Sequence, residues 1–376
     1  MEITEYRKNA ADMIALVRCA VNGEKPGKEL TDGLDLKALF EVCQAHVLTA
    51  CCAYALEAAG IRDAAFTEAK EKAIRKNIIM DAERKKILKC LEEEQVWYMP
   101  LKGALLKDWY PRLGMRQMSD NDILFDMQRR EDVRRIMAAQ GFELKAAREV
   151  VDEYTKPPVY NFEMHGELFM EYQTGEMAKY YLGVKERLLK DDGNQYGWHF
   201  TNEDFYLFMT AHEYKHFSLG GTGVRSLLDT YIFMRKYGDT LDHNYIAAEL
   251  EKLGISDYEA ESRSLAMKLF AGEAALTEQE NELLDYYVTS GVYGTRAHNI
   301  QNKLQRKNGG SRGKYILHRL FPPMYEIRNN HPFFYQHKWL IPVLWIWRPV
   351  RGLLHRRKQI TGELKYLMKH EQKPEG

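Results

Sequence analysis

VWYMPLKGALLKDWYPRLGMRQMSDNDILFD, residues 96–126, is the stretch on which the reading of the fold turns. Val96 to Pro100 is a short run of bulky residues of the kind that builds strands. It passes through Lys102-Gly103 into a helix-competent segment, Ala104 to Tyr110. A glycine lets a ligand approach the main chain, and free N–H groups at a helix start favour anions. Gly103 is therefore a candidate phosphate seat, with Lys102 as a second positive contact. Beyond Pro111 and Gly114, Ser119 to Phe125 reads as a second strand. Strand alternation turns Asp120 and Asp122 to one side and Ile123 and Phe125 to the other. Two carboxylates on one strand face can hold a divalent metal beside a triphosphate.

Outward from this stretch, residues 1–95 read as an N-terminal helical segment. Leu36 to Ala59 is rich in Ala and Leu, with Gly60 placed as a C-cap. Phe66 to Val96 is a long charged helix with apolar positions at Ile74, Ile78, Ile79, Ile87, Leu88 and Leu91. The core is expected over 96–180. Within it Asp126 caps a helix over about 128–140, Gly141 ends it, and Phe142-Glu143-Leu144 opens a strand. Pro157-Pro158 marks a turn. Val159 to His165 then alternates, with Tyr160, Phe162 and Met164 on one face and Asn161, Glu163 and His165 on the other. A helical domain is expected over 181–300, with Asn202 as an N-cap, followed by a basic aromatic C-terminal segment over 301–376.

The combination Leu101-Lys102-Gly103, Tyr110-Pro111, Arg116 and Ser119-Asp120-Asn121-Asp122 resembles the uncharacterised nucleotidyltransferase family, within the DNA polymerase β-like nucleotidyltransferase superfamily. The likeness extends to Glu163-Met164-His165, Ala211 to His216, and Arg225 to Asp229, roughly the middle half of the chain. The resemblance implies an α+β fold, in which a small mixed β-sheet nucleotidyltransferase core is flanked by N-terminal and C-terminal helical segments. It implies Mg²⁺, with Mn²⁺ as the alternative, held by Asp120, Asp122 and a third carboxylate on a neighbouring strand. Glu163 is the best candidate for that third position and Glu171 the next. Lys102, Gly103, Arg116, Ser119 and Lys215 would contact the nucleotide. The implied reaction moves a nucleoside monophosphate from a nucleoside triphosphate to an unidentified hydroxyl acceptor. A non-catalytic nucleotide-binding module of the same fold is the alternative.

His212-Glu213-Tyr214-Lys215-His216 also satisfies H-E-x-x-H, in which two histidines one helical turn apart bind zinc and the glutamate acts as base. Against a zinc hydrolase, Lys215 puts a cation between the ligands and no third ligand has a motif. Arg225 and Asp229, four apart, are expected to form an intrahelical ion pair. Gly220, Gly221 and Gly223 make a turn between helices; their spacing is not that of a dinucleotide loop.

Composition bounds these readings. A length of 376 allows two or three structural units. With 54 basic and 54 acidic residues, net charge indicates no nucleic-acid partner. The five cysteines form no CxxC, so reduced thiols in a cytoplasmic protein are expected. The first residues are amphipathic and do not read as a signal peptide, and no window is apolar for the length of a membrane span. Residues 338–358 hold three of the six tryptophans and six basic residues with no acidic one. That segment is a candidate for peripheral contact with an anionic membrane, against ordinary packing of its aromatic residues.

Overall fold

The computed structural model describes residues 1–170, 174–272, 274–292 and 312–355. By contacts the chain divides into two units. One comprises Met1–Lys215 and Thr222–Val292, the other His216–Gly221 and Tyr293–Gly376.

The first unit is α+β. Its five-stranded mixed sheet is built from β1 (Tyr98–Pro100), β2 (Asn121–Phe125), β3 (Glu143–Ala147), β4 (Val151–Lys156) and β5 (Tyr160–His165), in the order β1-β2-β5-β4-β3. Only the β2–β5 pairing is parallel; β1–β2, β5–β4 and β4–β3 are antiparallel. A two-stranded ribbon, β6 (Leu189–Lys190) and β7 (Trp198–His199), lies beside β1, where the Tyr98 N–H donates to the Tyr196 carbonyl at 2.9 Å. On one face Ile123, Phe125, Phe162 and Met164 pack with Ile87 and Leu91 of the helix Ala64–Glu93 and with Val133, Ile136 and Met137 of the helix Arg130–Ala139. On the other, Met99 and Leu124 join Phe205, Leu207 and Phe208 of the helix Asn202–Leu219. Asp122 lies on this second face, between the sheet and the helical layer.

Several local expectations hold. Asp126 accepts from the Gln128 N–H at 3.1 Å, ahead of a 3₁₀ turn and the helix Arg130–Ala139. Gly60 and Gly141 close helices in the left-handed region, and Pro157-Pro158 turns β4 into β5 through a cis bond. Others need correction. The segment from Leu36 to Ala59 is two helices, Leu36–His46 and Thr49–Ala59, because Val47 is left-handed between them. In the long helix Ile78 is exposed, and Asn77, Glu83 and Arg84 are buried instead. Asn77 donates to the Arg116 carbonyl and Arg84 to Asn121, so polar partners share a buried face that Phe66, Ala73, Met80 and the expected Ile87 and Leu91 set by apolar periodicity. Thr201, not Asn202, caps its helix, accepting from the Asp204 N–H at 3.0 Å. Four cysteines are buried free thiols and Cys90 is half-buried.

In the second unit the described helices are Arg312–Leu320, Met324–Asn330, Pro332–Gln336 and Ile341–His355. Ile327, Ile341 and Leu344 form a small core there. Among the described residues no helix is long and apolar enough to cross a membrane.

Candidate active site

β2 and β5 run side by side, and Asp122 stands opposite Glu163 in their register. Asp120 lies one residue ahead of β2. Asn121, the residue between the aspartates, is fully buried, accepting from Arg84 at 3.0 Å and donating to the Met80 carbonyl at 3.4 Å. This anchors the entrance of β2 to the long helix. Ser119 Oγ donates to Asp120 Oδ1 at 2.8 Å, and Lys76 donates to the Ser119 carbonyl at 3.0 Å.

The carboxylates feel one another. Burial and the charge of Asp122 push Asp120 up to about 6, against the pull of Ser119, Arg225 and Lys76. Burial and Asp122 push Glu163 up to about 7, with His165 opposing. His165 lies beside both, its Nε2 at 3.3 Å from Asp122 Oδ1 and 3.6 Å from Glu163 Oε2.

The cations come from two elements. Lys102 Nζ is 3.2 Å from Glu213 Oε1, and Thr230 Oγ1 donates to the other Glu213 oxygen at 3.4 Å. Lys215, on the same helix as Glu213, has its pKa lowered by burial, while the charges of Asp122 and Glu163 pull it back up. Lys215 is therefore within electrostatic range of the carboxylates. Gly103 heads a single turn, Gly103–Leu106, followed by a 3₁₀ turn, where a longer helix is expected from the sequence. So short a helix contributes little dipole, and positive charge around the carboxylates comes from side chains, Lys102 and Lys215 together with Arg225 and Lys76. A Cβ on Gly103 would lie 3.1 Å from Arg116 Nη1, so close packing accounts for the glycine.

Arg116 is held chiefly by Asp229, although the charge of Asp120 also acts on it. It is buried and bidentate to Asp229, at 2.8 and 3.0 Å, and Tyr110 donates to the same carboxylate at 2.7 Å. The intrahelical Arg225–Asp229 pairing expected from spacing thus gives way to a clamp over a longer sequence distance. Arg225 acts on Asp229 through its charge and donates to the Gln117 carbonyl at 3.4 Å. Glu171 lies outside the described residues.

The zinc reading fails on Glu213, which is buried and held by Lys102 and Thr230. Among the described residues the His, Asp and Glu side chains grouped closely enough for a metal are Asp122, Glu163 and His165. His165 and the Lys102–Glu213 pair were not expected as parts of one site. Alternation does place His165 on the Glu163 face, whereas partners 111 positions apart leave no local signal.

Further along the face, past Leu124, a cavity of about 220 Å³ is lined by Trp97, Gly166, Phe169, Tyr181 and Lys185 among others. Lys185 Nζ sits 4.9 Å from the Trp97 ring centroid.

Carboxylates on paired strands of a mixed sheet, backed by half-buried lysines, define a site suited to phosphate chemistry. Residues 32–271, more than half the chain, match the model of the family described as uncharacterised nucleotidyltransferase, and the chain belongs to that family. Membership supports a general role in nucleotidyl transfer. No curated protein and no solved structure matches the chain.

Proposed function

We propose that the protein is a Mg²⁺-dependent nucleotidyltransferase that moves a nucleoside monophosphate from a nucleoside triphosphate to a hydroxyl acceptor and releases pyrophosphate. The observation that carries this reading is the parallel register of Asp122 with Glu163, with Asp120 just ahead of the strand. The donor set fits the ion: carboxylate oxygens suit Mg²⁺, and Mn²⁺ as the alternative. Repulsion among these groups is also what a bound cation would relieve. Held by Asp120, Asp122 and Glu163, the metal would supply charge stabilisation to the phosphates and to the attacking and leaving oxygens.

The chain's own groups do the rest. Lys102 and Lys215 offset the triphosphate charge and hold it in line. The acceptor hydroxyl attacks the α-phosphorus; an oxygen–phosphorus bond forms as the α–β bridging bond breaks, and its electron pair leaves on pyrophosphate. The hydroxyl proton passes to a carboxylate of the cluster. The cavity past Leu124 offers the acceptor room beside that carboxylate face.

The test is a thermal-shift screen of the four NTPs with Mg²⁺, followed by mass spectrometry of candidate acceptors and assay of pyrophosphate. Expected are a Mg²⁺-dependent rise in Tm with at least one NTP and an acceptor heavier by one nucleotidyl group. Binding without transfer to any acceptor would favour the non-catalytic module, and no Mg²⁺-dependent NTP binding would remove the proposal.

A further inference from the structure

His165 follows Glu163 by two residues on β5, so alternation turns both to the face that carries Asp122. Its Nε2 stands 3.3 Å from Asp122 Oδ1 and 3.6 Å from Glu163 Oε2. One donor atom from each of the three residues lies within 4.8 Å of the others, and all three side chains are half-buried. Two ligands each about 2.1 Å from a common ion stand roughly 3.0–3.4 Å apart, depending on the angle between them. The two spacings from His165 need an adjustment of only a few tenths of an ångström to meet that range, and the Asp122 and Glu163 oxygens lie within 4.8 Å of each other.

A hydrogen bond to Asp122 alone would account for the shorter contact. It does not account for the same nitrogen lying beside a second carboxylate. Strand register supplies Asp122 and Glu163 as neighbours, and the i+2 position adds the imidazole to the same side, so three donors converge without any loop rearrangement.

The donor type has a chemical consequence. Oxygen-only sites suit Mg²⁺, which holds its water and accepts imidazole poorly; a nitrogen donor favours first-row transition cations. We infer that His165 is a nitrogen ligand in this centre and that the centre takes a divalent transition cation such as Mn²⁺ in preference to Mg²⁺. The inference rests on the transferase reading for the place of the metal and revises its expected identity.

The experiment uses the full chain with Mn²⁺ alone, titrated by the loss of the free-ion EPR signal, with Mg²⁺ as competitor. The wild type is expected to bind Mn²⁺ at least tenfold tighter than Mg²⁺, and the bound ion to show a ¹⁴N hyperfine coupling by pulsed EPR. His165→Gln should weaken Mn²⁺ binding tenfold or more, change Mg²⁺ binding less than threefold, and abolish the coupling. Absence of the ¹⁴N coupling in the wild type overturns the inference, and it does so whether or not the variant folds. Equal loss of both metals in the variant, or loss of neither, also overturns it. A nitrogen-coupled Mn²⁺ site in a protein that transfers no nucleotide would leave this inference standing and remove the transferase reading. Transfer without nitrogen coupling would do the reverse.

Discussion

Burial first, and the charge of Asp122 second, raise the pKa of both Asp120 and Glu163, and neither of those shifts is compatible with three comfortable anions in metal-free protein. The cluster is thus held together against its own repulsion, as sites that bind a cation are. Replacing Asp122 by Asn removes the charge that presses on the other two while keeping the side-chain shape. The expected result is a split: in metal-free buffer the variant melts at or above the wild-type temperature, whereas pyrophosphate release falls by 10²–10³-fold, about 3–4 kcal/mol of transition-state stabilisation. Calorimetry with chelator and a pyrophosphate assay check the two halves. Retained transfer would show that Asp122 holds no part of the reacting system. Arg116 makes the opposite case. Its Nε and Nη2 are taken by Asp229 and its Nη1 reaches toward the Gly103 carbonyl, and Arg116→Ala would leave a buried carboxylate with Tyr110 as its remaining donor among the described residues. A loss of about 3–5 kcal/mol in urea unfolding is expected. Arg116→Met combined with Asp229→Leu should recover a good part of it, since apolar residues of similar volume can replace a buried pair.

Among the elements, β4 shows how charge is put inside this sheet. Asp152 is buried on it, bonded by Arg130 and Arg134 from the helix Arg130–Ala139. Burial pushes its pKa up, but the hydrogen bonds from the two arginines outweigh that and hold it below its ordinary 3.8. A carboxyl depressed in the folded state stabilises the fold above its ordinary pKa and loses that contribution as pH falls through the folded value. Asp152→Asn should therefore cost ~1–3 kcal/mol at pH 7, with the difference from wild type closing below about pH 4. Urea unfolding at pH 7, 5 and about 2.5 measures it; a gap independent of pH would mean that packing, not charge, is what Asp152 supplies. The same strand marks where the sequence stops being legible. Residues 96–126 announce strand, turn and strand because bulky runs, glycine and alternation are all local, and Tyr160 to His165 are legible for the same reason. Residues 151–156 interleave Val151 and Tyr154 with Asp152, Glu153 and Lys156, and the aspartate is inside only because two arginines from another element reach it. Carboxylates on one face could be read from alternation. The Lys102–Glu213 pair, the clamp on Asp229 and the closeness of His165 to Asp122 needed chain folding and strand register to become visible.

For the whole molecule, the matched family segment, residues 32–271, falls in the first unit except for 216–221, and the basic aromatic segment falls in the second. The packing expectation for that segment is met only in part. Trp345 is half-buried, with its ring centroid 5.1 Å from that of Phe321, but Trp339 is 76% exposed and Ile346 71%. Val343, Trp347 and Val350 are exposed as well. On the helix Ile341–His355, Val343, Ile346, Trp347 and Val350 are spaced three, four and seven apart and so share one side. Lys338, Arg348 and Arg351 lie in the same stretch; Arg356, Arg357 and Lys358 lie outside the described residues. Tryptophan and branched apolar side chains next to cations suit the headgroup region of an anionic bilayer, where each basic residue near the surface adds about 1 kcal/mol. The apolar side supplies the salt-independent part of such binding and the cations the salt-dependent part. The full chain is therefore expected to co-sediment with phosphatidylserine-containing vesicles at low salt, to release partly at high salt, and to bind neutral vesicles at either salt only as weakly as it binds anionic ones at high salt. Ile346→Glu with Trp339→Glu should abolish sedimentation while leaving the NTP-induced rise in Tm unchanged, because both substitutions lie in the second unit and the carboxylates in the first. Sedimentation at low salt equal for neutral and anionic vesicles, or undiminished in the double variant, would exclude this face as the docking surface.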